Sequence, residues 1–243
     1  TETSLLHCTH SHLSLTSPTL ASRTLTLLSL DYFYIIVHKA KERVKRFSQP
    51  HSPMSSSSST VVAESLQHVK KALRATLRAR LRSVSPALIS AESEQVQDRV
   101  LSSELYRKSK HVAVYIPMPG ELLTHRILND LLRPDSGKQC FVPLIESSSV
   151  VTMRRVYSNE DLASFPVNRW GIPEPPLEPA RDEAVECGTL DLVIVPGLGF
   201  TKTGDRIGRG KGYYDRYLTR AATEFARLGK PSPLTIGVGF SVQ

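Results

Sequence analysis

Only three cysteines, Cys8, Cys140 and Cys187, occur in the 243 residues of this chain. Their spacing forms neither a zinc-binding pair nor a disulfide framework, which sets aside the small metal-knuckle and cystine-stapled classes and fits a reducing compartment. Cys140 stands in the apolar run Cys140-Phe141-Val142 and reads as a buried core thiol. Long hydrophobic runs are also scarce. The most apolar stretch, Leu25 to Val37, is interrupted by Asp31 and is too short to cross a bilayer. No early basic region with a small-residue cleavage site marks a secretory signal. Aromatic residues make up 7%, with a single tryptophan. No aromatic RNA-binding signature and no long basic run accompany the net charge of +8, so a nucleic-acid partner is disfavoured. The surplus of cations suits smaller anions such as phosphates and carboxylates. The 40% of apolar residues is enough for a core, and no internal repeat is present.

Residues 1–53 differ from the rest. They begin with Thr1, are rich in Ser, Thr and Leu, hold five of the eight histidines and carry six basic against three acidic residues. Met54 is followed by five serines, a polar low-complexity start. The expectation is that Met54 initiates the natural chain and that residues 1–59 lie outside the fold, leaving residues 60–243 as the domain. The group His7, His10 and His12 is expected to hold no metal. Placement is expected to be cytoplasmic. If residues 1–53 are genuine, their basic excess fits a mitochondrial presequence.

From residue 60 onward, apolar residues recur at recognisable periods. Val62, Leu66, Val69, Leu73, Leu77 and Leu81 give one apolar helix face, while Lys70, Arg74 and Arg78 form a basic stripe on the same helix. Ser85-Pro86 reads as a cap with proline at the first helical position, opening a second helix that runs to about Tyr106. Strands are expected at 111–116, 139–142, 150–156, 190–195 and 234–240, and helices at 124–132, 159–163 and 213–228. Five prolines and the lone tryptophan mark 165–181 as loop. Short apolar strands alternating with helices predict a three-layer, Rossmann-like α/β fold, with a mostly parallel sheet and helices on both faces. Ligands of such sheets gather outside the carboxyl ends of the strands. Three loops leave strand ends there: 117–124, 143–149 and 196–212.

The last of these loops is the most informative. Arg206-Ile207-Gly208-Arg209-Gly210-Lys211-Gly212-Tyr213-Tyr214-Asp215 runs from a buried strand into a helix start. Glycines there let backbone N–H groups approach a ligand, and a helix N-terminus favours anions. It is not a Walker A loop, because Asp205 stands where that pattern needs glycine and Gly212 follows the lysine. Taken with Pro196-Gly197-Leu198-Gly199-Phe200 and Gly204, the string closely resembles the signature of the 5-formyltetrahydrofolate cyclo-ligase family, also called 5,10-methenyltetrahydrofolate synthetases. His68 to Arg74 looks like that family's basic first helix. Met118-Pro119-Gly120-Glu121-Leu122-Leu123-Thr124 looks like its substrate loop, and Trp170-Gly171-Ile172-Pro173-Glu174-Pro175 like its central element. The resemblance covers roughly Glu64 to Gln243.

That resemblance implies an ATP-dependent ligase that cyclises 5-formyltetrahydrofolate to 5,10-methenyltetrahydrofolate, releasing ADP and phosphate. Polyglutamylated forms of the folate are included as substrate, and no nucleic acid or membrane is expected as partner. It implies ATP contacts at Lys70, Arg74 and the stretch Arg206, Ile207, Gly208, Arg209, Gly210, Lys211, Gly212, Tyr213 and Tyr214. Folate contacts are implied at Ile116, Glu121, Trp170, Arg209, Gly210, Lys211, Gly212 and Tyr213. Arg209 and Lys211 are the catalytic cations, Asp215 the Mg²⁺ ligand, and the protein a monomer. Trp170 could instead be core, and Tyr214 could face inward. Thr201 stands where the family commonly has Asp after the phenylalanine, with Asp205 nearby to compensate. The family pattern is also expected to continue past Gln243 with a further strand and acidic residue. These departures keep a second reading open, a folate- and ATP-binding protein without turnover.

Overall fold

The computed structural model describes residues 36–39 and 56–243, with only the backbone course for 36–39 and 56–63. The described elements are β1 (Ile36–Lys39), α1 (Ser56–Arg82), α2 (Pro86–Ser102), α3 (Glu104–Lys108), β2 (His111–Val114), α4 (His125–Leu132), β3 (Gln139–Ile145), β4 (Val151–Val156), α5 (Asn159–Ala163), β5 (Leu192–Val195), β6 (Gly199–Phe200), β7 (Arg206–Ile207), α6 (Tyr213–Arg227) and β8 (Leu234–Gly237). The main sheet has strand order β1-β8-β5-β2-β3-β4, and β6 with β7 forms a separate small hairpin. The pairings β8–β5, β5–β2 and β2–β3 are parallel. Both outer pairings, β3–β4 and β1–β8, are antiparallel.

Strand alternation sorts the core into two clusters, one per face of the sheet. Val112, Val114, Cys140, Val142, Leu192 and Ile194 point one way, toward Val96 and Val100 of α2 and Ile127, Leu128 and Leu131 of α4. Ala113, Phe141, Val193 and Val195 point the other way, toward Tyr217, Ala221 and Phe225 of α6. This is the predicted three-layer α/β arrangement, and it follows from the period of two along each strand. Burial raises the Cys140 thiol above its ordinary range, as expected for a core cysteine.

Four local differences have physical causes. The second helix breaks at Ser103, which is the C-cap of α2 and the N-cap of α3, accepting from the Tyr106 N–H. Strand β3 runs on to Ile145 because β4 folds back on it, opposing Ile145 with Val151. Helix α1 buries only part of its apolar face: Leu77 is buried and Leu81 packs against the core, while Leu66, Val69 and Leu73 are exposed. Residues 36–39 and 56–59 depart from the expectation that everything before residue 60 stays outside the domain. The former pair with β8, Ile36 opposite Gly237 and Lys39 opposite Leu234, and the latter begin α1. Without β1, strand β8 would leave a row of backbone donors and acceptors open at the sheet edge. The histidines at 7, 10 and 12 and Met54 lie outside the described residues.

The long excursion between α5 and β5 is anchored by ion pairs. Arg181 donates to both oxygens of Asp161, at 2.8 and 2.7 Å, which holds the Asp161 carboxyl below its usual range. Glu183 is 1% exposed. Its carboxylate accepts from Arg220 Nη2 at 2.8 Å and from the N–H groups of Met153, Val185 and Glu186. One buried carboxylate thus ties β4, this loop and α6 together. Glu183→Ala leaves those donors unsatisfied and is expected to lower the unfolding free energy by ~3 kcal/mol in urea titrations. Glu183→Gln keeps an acceptor oxygen and should cost less. A loss below about 1 kcal/mol for the alanine variant would show that water replaces the carboxylate freely.

Candidate functional site

The loop after β2 is fixed by hydrogen bonds from its neighbours. Thr124 precedes α4 but does not cap it; its hydroxyl donates instead to the Tyr115 carbonyl at 2.8 Å. The cap comes from α2, where the Gln97 side chain accepts the Arg126 N–H at 2.9 Å. Ser93 accepts the Leu123 N–H, also at 2.9 Å. The Tyr115 hydroxyl, kept protonated by burial, donates to Leu122 O at 2.8 Å. Within the turn, Glu121 Oε2 accepts the Met118 N–H and the Glu121 N–H donates to Met118 O. The carboxylate of Glu121 is therefore held beside the strand end with its side chain only 14% exposed.

The glycine loop comes from β5 and the small β6–β7 hairpin. Phe200 lies in a slot of glycines at the ends of β5 and β8. A Cβ at Gly197 would sit 2.6 Å from its ring, and one at Gly237 would sit 2.7 Å away. Side chains there would push the ring out and the hairpin with it. Beyond β7, Gly210 has φ 108° and Gly212 has φ 70°, a conformation that other residues adopt only with strain. The N–H groups of Arg209, Gly210, Lys211 and Gly212 meet no acceptor among the described residues. Successive free donors with positive-φ glycines among them suit an anion-binding backbone concavity. The N-terminus of α6 follows at once, with first-turn N–H groups that have no carbonyl partner inside the helix.

Ion pairs set the cations of the loop. Arg206, 8% exposed, donates to Asp215 Oδ1 at 2.7 Å and lies over the Tyr214 ring at 5.7 Å. Arg209 Nε donates to Glu121 Oε1 at 3.0 Å, joining the glycine loop to the loop after β2. Lys211 is exposed and makes no ion pair among the described residues. From α1, Arg74 Nε donates to the Gly208 carbonyl at 3.0 Å and Arg78 Nη2 to the Arg209 carbonyl at 2.9 Å. The β3–β4 turn closes a third side, with Arg216 Nε donating to Ser149 O at 2.7 Å.

These loops enclose a cavity of about 400 Å³. One wall is apolar, with Ile116, Met118, Pro143, Ile145 and Ile172. The other carries Arg206 and the loop from Gly208 to Asp215. Arg74, Glu121, Arg169 and Trp170 also line the cavity. Trp170 is 42% exposed with Arg169 over its ring at 4.2 Å, so it belongs to the rim and not to the core. Tyr214 does both jobs named for it, lining the cavity and packing against both core clusters, and burial pushes its phenol above the ordinary range. Lys70 and Ile207 do not line the cavity. Lys70 is exposed one helical turn before Arg74, and Ile207 lies under the hairpin near Gly199. Asp205 accepts from the hydroxyls of Thr203 and Thr201 and does not reach the cavity. Arg169 was not singled out by the sequence; its only signal is its place next to Trp170.

The model of the 5-formyltetrahydrofolate cyclo-ligase family matches residues 66–243. The chain belongs to the 5-formyltetrahydrofolate cyclo-ligase family. A relative from Mus musculus named 5-formyltetrahydrofolate cyclo-ligase is 35% identical over 184 residues, covering 75% of this chain and 88% of its own length. A relative from Arabidopsis thaliana named 5-formyltetrahydrofolate cyclo-ligase, mitochondrial, is 32% identical over 191 residues, covering 74% and 68%. The solved structure of Aquifex aeolicus 5,10-methenyltetrahydrofolate synthetase superposes with a TM-score of 0.57 at 31% identity, covering 72% of this chain and 79% of that one. Resemblance and fold class from the sequence therefore hold. The matched cyclo-ligase segment includes both the loop after β2 and the glycine loop.

Two carboxylates line the cavity, Asp215 and the Glu121 that accepts from Arg209. No cluster of three or more His, Cys, Asp or Glu occurs among the described residues. Asp215 lines the cavity, with its side chain 55% exposed. That donor set fits Mg²⁺, which keeps most of its waters and takes one or two carboxylates together with substrate phosphates. Asp215→Asn is expected to raise the Mg²⁺ concentration needed for half-maximal activity. Stability is expected to fall by about 1 kcal/mol or more, because Asn keeps an acceptor oxygen while the Arg206 guanidinium, 8% exposed, loses the charge of Asp215. An unchanged Mg²⁺ dependence would assign Asp215 to orienting Arg206 alone.

Proposed function

We propose that this chain catalyses the ATP-dependent cyclisation of 5-formyltetrahydrofolate to 5,10-methenyltetrahydrofolate at the cavity between the glycine loop and the loop after β2. The observation that carries this reading is the run of N–H groups from Arg209 to Gly212 that meet no acceptor among the described residues, in a loop that lines the same cavity of about 400 Å³ as Ile116, Met118, Pro143, Ile145 and Ile172. The triphosphate of ATP lies on the glycine loop and the helix start, with Lys211 as the loop's cation not engaged by a carboxylate among the described residues. The pterin lies against Ile116, Met118 and Ile172, its donor edge toward Glu121. Trp170 and Tyr213 offer aromatic faces at the rim.

In the reaction the formyl oxygen attacks the γ-phosphorus and the bond to ADP breaks. Nitrogen 10 then bonds to the formyl carbon. Its proton is released and the phosphate leaves with the former formyl oxygen, giving the methenyl bridge. Phosphoryl transfer asks the protein for alignment and charge neutralisation more than for covalent participation. Bound Mg²⁺ would add neutralisation at the phosphates, held by Asp215. Arg209 has two partners to choose between, since phosphate oxygens compete with Glu121 for its guanidinium. Occupation of the loop thereby releases Glu121 toward the pterin.

We assign the activity to a monomer in the cytoplasm. No helix among the described residues is long and apolar enough to cross a membrane, and the cysteine pattern suits a reducing compartment. The mitochondrial relative makes imaging of the whole chain, with and without residues 1–53, the check on that assignment. Polyglutamylated folates fit the same reading, because Arg169 stands exposed at the rim with no carboxylate partner among the described residues.

Two outcomes are expected. Arg209→Ala and Lys211→Ala should each lower the rate of methenyl formation about a hundredfold, the ~3 kcal/mol of one lost transition-state contact. Their melting temperatures should stay within about two degrees of the parent, since both side chains are exposed. Parental rates in both variants would remove the glycine loop from the chemistry. Arg169→Gln should raise KM for a pentaglutamyl substrate several-fold more than for the monoglutamyl form. Equal changes for the two tail lengths would assign Arg169 to supporting Trp170 only.

A further inference from the structure

Arg78 touches neither the cavity nor any carboxylate among the described residues, yet it holds the peptide at the centre of the loop. Its Nη2 donates to the Arg209 carbonyl at 2.9 Å. One helical turn earlier, Arg74 Nε donates to the Gly208 carbonyl at 3.0 Å. The two arginines share one face of α1, so a rigid helix grips two successive carbonyls. Both peptides are trans, and a planar trans peptide directs its N–H opposite to its C=O. Fixing the carbonyls of Gly208 and Arg209 toward α1 therefore turns the N–H groups of Arg209 and Gly210 away from it. Those are two of the four donors that lack an acceptor. A guanidinium on each carbonyl also polarises the peptide, which makes its N–H a better donor to an anion.

The loop has reason to need such a hold. Gly210, with φ 108°, costs little to rotate, and each glycine adds conformations that do not bind. The Arg209 side chain is tied to Glu121, which fixes the guanidinium and leaves the backbone free to turn. Helix α1 can serve as a splint because Leu77 anchors it beneath the hairpin, with its side chain against the Gly199 position. Its stability does not need Arg78, whose bond faces solvent.

We infer that Arg78 is a positioning residue for polyphosphate binding, acting through the Arg209 carbonyl to preset the backbone donors of the loop. The inference rests on the glycine loop as the ATP site. It goes beyond that reading by assigning nucleotide affinity to a side chain outside the cavity.

The test compares Arg78→Ala and Arg78→Lys with the parent chain by calorimetric titration of inorganic tripolyphosphate, by KM for ATP and folate, and by melting temperature. Arg78→Ala should weaken tripolyphosphate binding and raise KM for ATP about fivefold, the scale of one solvent-facing hydrogen bond. The folate KM and the melting temperature should stay at parental values. Arg78→Lys keeps a cationic donor and should recover part of the affinity. Parental tripolyphosphate affinity in Arg78→Ala overturns the inference and leaves the ATP reading standing. So does a rise of both KM values together with a falling melting temperature, which would make Arg78 part of the general fold. Weakened tripolyphosphate binding with no methenyl formation by the parent supports the inference and overturns the cyclisation reading. A parent that does not bind tripolyphosphate overturns both.

Discussion

The parallel register of β8, β5, β2 and β3 is the constraint on which the rest of the molecule depends. Parallel strands all point their carboxyl ends to the same edge, so whatever follows each strand meets there. Here those followers are the turn Tyr115 to Thr124, the β3–β4 turn, and the hairpin with the glycine loop. The hydrogen bonds that fix the loops come mostly from the helices packed on the two faces. Gln97 and Ser93 reach the first loop from one side of the sheet, and Arg216 reaches the β3–β4 turn from the other. Core packing and site geometry are therefore one problem. A shift of α2 by an ångström would move Glu121 through Leu123 and Arg126.

Charge in the site is arranged in pairs that a ligand can re-sort. Arg206 has Asp215, and Arg209 has Glu121. Before a ligand arrives, these cations are partly neutralised, which limits the self-repulsion of five basic side chains around one cavity. The backbone donors from Arg209 to Gly212 carry no such partner. They need little reorganisation when an anion arrives, since Arg74 and Arg78 already hold the Gly208 and Arg209 carbonyls. The side chains then supply adjustable charge and the main chain supplies fixed geometry.

Helix α1 joins the domain by a narrow contact. Leu77 and Leu81 bury apolar surface, and Arg74 and Arg78 grip the loop, while Leu66, Val69 and Leu73 remain exposed. A helix attached so sparingly contributes to the site mainly by holding the peptide groups of the loop. This explains why its basic stripe matters although Lys70 does not line the cavity.

The sequence by itself determined the layers and the main loop. Alternation at Val112-Ala113-Val114 and Leu192-Val193-Ile194-Val195 defines strands with two buried faces, and the spacing of Tyr217, Ala221 and Phe225 defines the α6 stripe. These are local periodicities, and local stereochemistry enforces them. The glycine string was legible for the same reason, because left-handed turns beside a helix start need glycine. What the tertiary structure decided were contacts between residues far apart in the chain. No spacing rule pairs β1 with β8, Arg78 with the Arg209 carbonyl, Arg209 with Glu121, or Glu183 with Arg220. Nor does any rule place Arg169 at the rim and leave Lys70 and Ile207 out of the cavity. Each depends on where folding brings a backbone group or a charge, and hydrogen bonds across 131 or 88 residues leave no period in the sequence to read.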